Sequence, residues 1–99
     1  MILIAGTVRL PAENVANGRA AMRAMIEATR AEPGCVEYAF SEDVLEPGLI
    51  HVNERWKSRT DLDAHMKSAH MAKWREEGAA LGIGDRRLGV YEVGEPMTL

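Results

Sequence analysis

Trp56, His65, His70 and Trp74 fall within nineteen residues of one another, and Glu54 lies just ahead of them. An imidazole takes up and releases a proton near neutral pH, because its unperturbed pKa is about 6.5. Beside an apolar aromatic wall it can serve as a general base. Asp61 stands four residues before His65, the spacing at which a carboxylate on one helix face reaches the ring and orients it. An exposed surface pair has the same spacing, and each histidine alone reads equally as a surface or a hydrogen-bonded core residue. Glu54 shares an alternating strand face with apolar residues, and a carboxylate on a covered face needs a partner. A histidine on the following helix supplies one; an arginine or a backbone group supplies another.

Metal chemistry is not expected from this spacing. His65 and His70 are five residues apart, whereas a helical zinc pair is four apart. Five residues turn a helix by about 500° and leave the two rings about 140° apart. There is one cysteine and no H-E-x-x-H. A kink near Ser68 would change the geometry by bringing both rings to one pocket. Cys35 has no activating partner nearby in sequence and reads as a buried structural thiol. Met22, Met25, Met66 and Met71 recur at helical spacing and suit core or pocket packing. Gly82-x-Gly84 lacks the following helix of a phosphate loop and reads as a helix stop.

The elements that hold these residues follow from periodicity. Ile2–Leu10 reads as a strand, with Ile2, Ile4, Gly6, Val8 and Leu10 on one face and Leu3, Ala5, Thr7 and Arg9 on the other. Pro11 stops it. From about Glu13 to Ala31, the offsets of Val15, Gly18, Met22, Met25, Ile26 and Thr29 are helical, and Pro33-Gly34 ends that run. Cys35–Glu42 alternates again, with Val36, Tyr38 and Phe40 opposite Cys35, Glu37, Ala39 and Ser41. After the Pro47-Gly48 turn, Leu49–Lys57 places Ile50, Val52, Glu54 and Trp56 on one face, and the short connection predicts an antiparallel hairpin. Ser58 is a good N-cap, with Asp61 three residues on. The helical pattern that follows reaches about Leu81 and loses phase at Ser68–His70, which predicts a kink or two abutting helices. Arg87–Val93 is the last strand.

The order β-α-β-β-α-β over residues 1–99 predicts a single α+β domain of the ferredoxin-like kind, a four-stranded antiparallel sheet with both helices on one face. The other sheet face, with Leu3, Ala5, Cys35, Ala39 and Leu49, would be apolar and uncovered, and a second copy of the chain under two-fold symmetry is the simplest cover. With 99 residues, 46% apolar and 27% charged, the composition is globular. Twelve Lys and Arg against fifteen Asp and Glu give a net charge of −3, which offers nothing to a nucleic acid. The absence of a long apolar run speaks against a membrane span. The single cysteine and the lack of a signal peptide make a reducing cytoplasm the expected compartment.

Three stretches resemble the antibiotic biosynthesis monooxygenase family, which includes small quinol monooxygenases. They are Thr29–Tyr38 (TRAEPGCVEY), Glu54-Arg55-Trp56, and Leu62-Asp63-Ala64-His65 with Ser68-Ala69-His70-Met71. The resemblance implies a homodimer whose sheets pack into a shared α+β barrel, with a pocket between sheet and helices in each subunit. It implies oxygenation of a quinol, anthrone or polyphenol by O₂ without metal, flavin or haem. His65 or His70 would be the base, and Glu54 would orient a ring or hold a substrate hydroxyl. Trp56, Trp74 and Met66 would line the cavity. A haem-degrading branch of the superfamily uses an asparagine on strand one, where this chain has Gly6. Two alternatives use the same pocket: an isomerase or detoxification enzyme that consumes no oxygen, and a dimer that binds haem.

Overall fold

β1 (Ile2–Arg9) runs down the middle of one four-stranded sheet, flanked by β3 (Leu49–Trp56) and β4 (Gly84–Glu92), with β2 (Cys35–Glu42) outside β3. All neighbouring strands are antiparallel, so the order is β2-β3-β1-β4. The computed structural model describes residues 1–99. α1 (Val15–Arg30) follows a 3-10 turn at Ala12–Asn14, and α2 (Arg59–Met66) and α3 (Ala69–Leu81) connect β3 to β4. This is the ferredoxin-like α+β arrangement expected from the element order.

Period-two alternation decides which residues the helices cover. Ile2, Ile4 and Val8 from β1 and Ile50, Val52 and Trp56 from β3 are buried, and Met22, Met25 and Leu62 pack on them from the helices. Burying one aliphatic or aromatic side chain of this size contributes ~1.5–3 kcal/mol, so these two abutting clusters hold the helices to the sheet. Gly18 lies on the buried stripe of α1, and a Cβ there would come 3.2 Å from Leu10.

Two departures from simple alternation matter. The β2–β3 register shifts between Cys35 and Glu37, and Cys35 packs against the same core cluster as Tyr38. A bulge inserts one residue and changes the face of what precedes it. Cys35 therefore leaves the outer face on which alternation had placed it. The outer face is also less apolar than expected: Leu3, Ala5, Ala39 and Leu49 are only half-buried there, next to exposed His51 and Asn53 and an Arg55–Glu37 ion pair at 3.0 Å. The last strand begins at Gly84, three residues ahead of the expected start. No helix is long and apolar enough to cross a membrane.

Candidate active site

The site begins where α1 ends. Gly34 adopts φ +78°, and the turn brings Cys35 N–H to the carbonyl of Glu32 at 3.3 Å. Glu32 is thereby fixed at the helix–strand junction, its side chain 14% exposed. Opposite it, the helical run breaks as its phase predicted. The Ser68 hydroxyl donates to the carbonyl of His65 at 2.7 Å and accepts from Met71 N–H at 3.2 Å, so it both closes α2 and caps α3. The break removes the rotation that a continuous helix would impose between His65 and His70. Their ring centroids stand 5.9 Å apart. Both rings meet one oxygen: Glu32 Oε1 lies 3.0 Å from His65 Nδ1 and also contacts His70 Nε2.

His65 is 1% exposed and packed among rings, with Trp56 at 4.7 Å and Tyr38 edge-on at 5.5 Å. With Glu32 ionised and the ring neutral, the contact makes Nδ1 the donor and leaves Nε2 with a lone pair. The ring also lines a cavity of about 410 Å³ between sheet and helices. Its walls include Tyr38, Phe40, Met66, Met71 and Trp74, together with Leu88 and Val90 from β4. Phe40 and Trp74 stack at 5.2 Å. The polar or charged side chains among the walls are Glu54, His65, Arg75 and Arg86, with the Tyr38 phenol.

Burial raises the pKa of Glu54; hydrogen bonding from Trp56 and the nearby His65 oppose that shift, and the Glu32 charge adds to it. The Trp56 indole donates to Glu54 Oε1 at 3.0 Å. Burial also pushes the Tyr38 phenol far above its ordinary value, with the Glu54 charge as the next cause, so it remains a neutral donor. Cys35 is raised as well, by burial and then by Glu32.

Several expected placements are corrected. Asp61 does not orient His65: its carboxylate accepts from Ser58 Oγ at 2.9 Å and packs where a Gly34 side chain would be. The partner of Glu54 is an indole, not a histidine or an arginine. Trp56 is fully buried in the core and stands behind the cavity wall. His70 joins Glu32, 26% exposed, and does not line the cavity. Glu54, His65, Met66 and Trp74 do line it. The local sequence pattern does not mark Glu32, Tyr38, Arg75 or Arg86 as part of this site. Tyr38 was legible as an inward residue next to Phe40. Glu32 carried no local signal, since its partners lie 33 and 38 residues away.

The sequence profile of the antibiotic biosynthesis monooxygenases matches residues 1–77. The chain belongs to the antibiotic biosynthesis monooxygenase family. A Deinococcus radiodurans protein, provisionally described as an antibiotic biosynthesis monooxygenase, superposes with a TM-score of 0.91 at 28% identity, covering 100% of this chain and 98% of that one. Rv0793 of Mycobacterium tuberculosis, provisionally named a monooxygenase, is 41% identical over 59 residues, 60% of this chain and 57% of that protein. Its structure superposes with a TM-score of 0.77, covering 98% of this chain and 96% of that one. The Synechocystis sp. protein sll1783, itself uncharacterized, is 29% identical over 98 residues, 99% of this chain and 67% of that protein. The match to Rv0793 thus spans under three-fifths of its length, and that to sll1783 about two-thirds. Family membership supports a monooxygenase-like function in general terms, and the β1–β3 scaffold with α1 and α2 lies inside the matched residues.

Proposed function

We propose that the chain is a cofactor-free monooxygenase acting on a small electron-rich aromatic of the anthrone, quinol or polyphenol type, with His65 as general base. The observation that carries this reading is one imidazole with two faces: Nδ1 held at 3.0 Å by Glu32, and a ring that borders an apolar cavity of about 410 Å³. That volume falls in the ~300–1,000 Å³ range of small-molecule pockets. His65 Nε2 takes a proton from the substrate, and the Glu32 carboxylate stabilises the imidazolium. Arg75 and Arg86 favour the substrate anion over its neutral form. For an anthrone the anion passes one electron to O₂, and radical and superoxide combine to a peroxide anion, which takes the proton from His65 to become the hydroperoxide. His65, neutral again, removes the remaining C–H proton as the O–O bond breaks, and the departing hydroxide collects that proton from His65 to leave as water: R₂CH₂ + O₂ → R₂CO + H₂O. Orientation and a dry cavity are the protein's contribution.

The test is oxygen uptake with dithranol or a reduced naphthoquinol, using protein freed of metal. Uptake above the autoxidation control, lost in His65→Ala, is expected; uptake equal to the control overturns the reading. Turnover of a substrate without oxygen consumption would favour the isomerase alternative. We also propose that two copies pair through their outer sheet faces, supported by half-buried Leu3, Ala5 and Ala39. Light scattering that returns the mass of one chain at micromolar concentration would rule that out.

A further inference from the structure

The same carboxylate that orients His65 also gathers a second imidazole, and an orienting role alone needs only one. We propose that Glu32, His65 and His70 form a binding site for one divalent transition-metal ion of the zinc class, and that metal held there switches off the base. The site would be fed by three elements: the α1–β2 turn, the end of α2 and the first turn of α3. Its donors are Glu32 Oε1, His65 Nδ1 and His70 Nε2, all within 4.8 Å of one another. Ligands on a tetrahedral ion with bonds of 2.0–2.1 Å are about 3.3 Å apart, so side-chain shifts of about 1–1.5 Å between donors complete the set. Two imidazoles and a carboxylate suit zinc, cobalt, nickel or ferrous ions and suit magnesium or calcium poorly. Three protein ligands leave at least one position for water. His70, 26% exposed, opens the way in from solvent, while His65 at 1% anchors the inner side.

Helix architecture makes the set. On a continuous helix the two rings would diverge, which is why the five-residue spacing argued against a metal. Ser68 breaks the helix between them and holds the break with two hydrogen bonds. Neither Glu32 nor His70 lines the cavity, so His65 is the one member of the triad that borders it.

The consequence for the base, which rests on the proposed function, follows from the ring's two nitrogens. A metal on Nδ1 takes the place of the Glu32 hydrogen bond. The neutral ring must then carry its proton on Nε2, the only nitrogen left, and no lone pair remains for substrate. Zinc would thus inhibit without entering the cavity.

The experiment titrates metal-stripped full-length protein with Zn²⁺ by calorimetry and with Co²⁺ by visible absorption. One ion per chain is expected, with the d–d bands of a four- or five-coordinate cobalt site and a higher Tm. Glu32→Gln and His70→Ala should each weaken binding at least tenfold, about the scale of losing one good interaction at a metal site. His51→Ala is the control, because exposed His51 on β3 pairs at 2.8 Å with Asp43 of the β2–β3 connection and is the other place a surface ion would settle. Circular dichroism checks each variant, and the isosteric Glu32→Gln still decides the matter if His70→Ala unfolds. Absence of saturable binding overturns the proposal. So does binding that survives both triad variants or disappears with His51→Ala. Zinc bound at the triad without slowing oxygen uptake overturns the switch and leaves the site standing. Wild type that consumes no oxygen at all counts against the proposed reaction, while calorimetry still decides the site.

Discussion

Glu32 Oε1 lies 3.0 Å from Nδ1 of His65, and the same oxygen contacts His70 Nε2. The carboxylate sits outside the cavity, and the His65 ring forms part of its wall. On the proposed reading, charge on one side of the imidazole controls proton uptake on the other. Glu32→Gln keeps the shape and removes the charge. It is expected to lower kcat for oxygen uptake by about 10-fold or more and to leave KM nearly unchanged, because Glu32 does not line the cavity. His65→Ala should cost ~10²–10⁴, the worth of a positioned base. Steady-state oxygen consumption separates the two constants. A Glu32→Gln enzyme with unchanged kcat would remove Glu32 from the chemistry.

Glu54 gives a prediction in stability. Burial raises its pKa in the folded chain, against the opposing pull of Trp56 and His65. The folded state therefore holds the proton to higher pH than the unfolded state does. The group costs nothing below the unfolded carboxylate range, and stability is lost as pH rises through the folded value. Glu54→Gln keeps an oxygen to accept from the Trp56 indole and abolishes that cost. Its Tm should exceed wild type by a few degrees at pH 7, with ~1 kcal/mol worth roughly 4–8 °C in a domain of this size. The gain should vanish near pH 3. A gain of equal size at both pH values would show that charge burial is not its cause.

How far the sequence reached depends on the range of each interaction. Strand alternation in Ile2–Leu10 and Leu49–Trp56, and the helical stripe from Val15 to Thr29, are local patterns, and they located the sheet and α1. The phase loss at Ser68 located the α2–α3 break for the same reason. Local spacing misled where the true partner was distant. Asp61 stood at the right offset from His65, yet Ser58 and Gly34 claim its carboxylate. Glu32 reaches His65 only once the Pro33-Gly34 turn has folded it back toward the helices. Trp56 obeyed its alternation and went inward, but inward at that point is the core, and its indole partner Glu54 holds the cavity position instead. No periodicity separates those two kinds of inward.

Ser68 ties the helix break to the site. Its hydroxyl donates to His65 O at 2.7 Å and accepts from Met71 N–H at 3.2 Å. Ser68→Ala removes the cap of α3 and both bonds, a loss of ~1 kcal/mol on the usual scale for an N-cap. That predicts a Tm lower by roughly 4–8 °C. It also predicts that the His65 and His70 side-chain resonances lose their separate, sharp environments, since the junction that sets their spacing loosens. A Ser68→Ala chain with unchanged Tm and histidine spectrum would mean that packing of Leu62 and Met71 alone fixes the junction.

Gly6 tests whether the cavity depends on how closely β4 approaches β1. Gly6 holds φ +151°, a conformation that side-chain-bearing residues rarely take, and its register partner on β4 is Leu88. A Cβ at Gly6 would come 1.9 Å from the carbonyl oxygen of Arg87. No rotamer relieves that contact, because the backbone alone fixes where the Cβ falls and the oxygen it meets is itself backbone. Gly6→Ala must push β4 outward or straighten β1, and Leu88 and Val90, which wall the cavity, move with β4. The substitution belongs with the severe backbone-strain cases, so a Tm lower by about 10 °C or more is expected. Amide exchange should accelerate first along residues 87–90, where the β1–β4 ladder is displaced, and later in the β2–β3 hairpin. A thermal melt and hydrogen exchange read the two effects separately. A Gly6→Ala melt within 2 °C of wild type, with β4 protection intact, would show that the strands can part without harm and that the cavity wall does not rest on this contact.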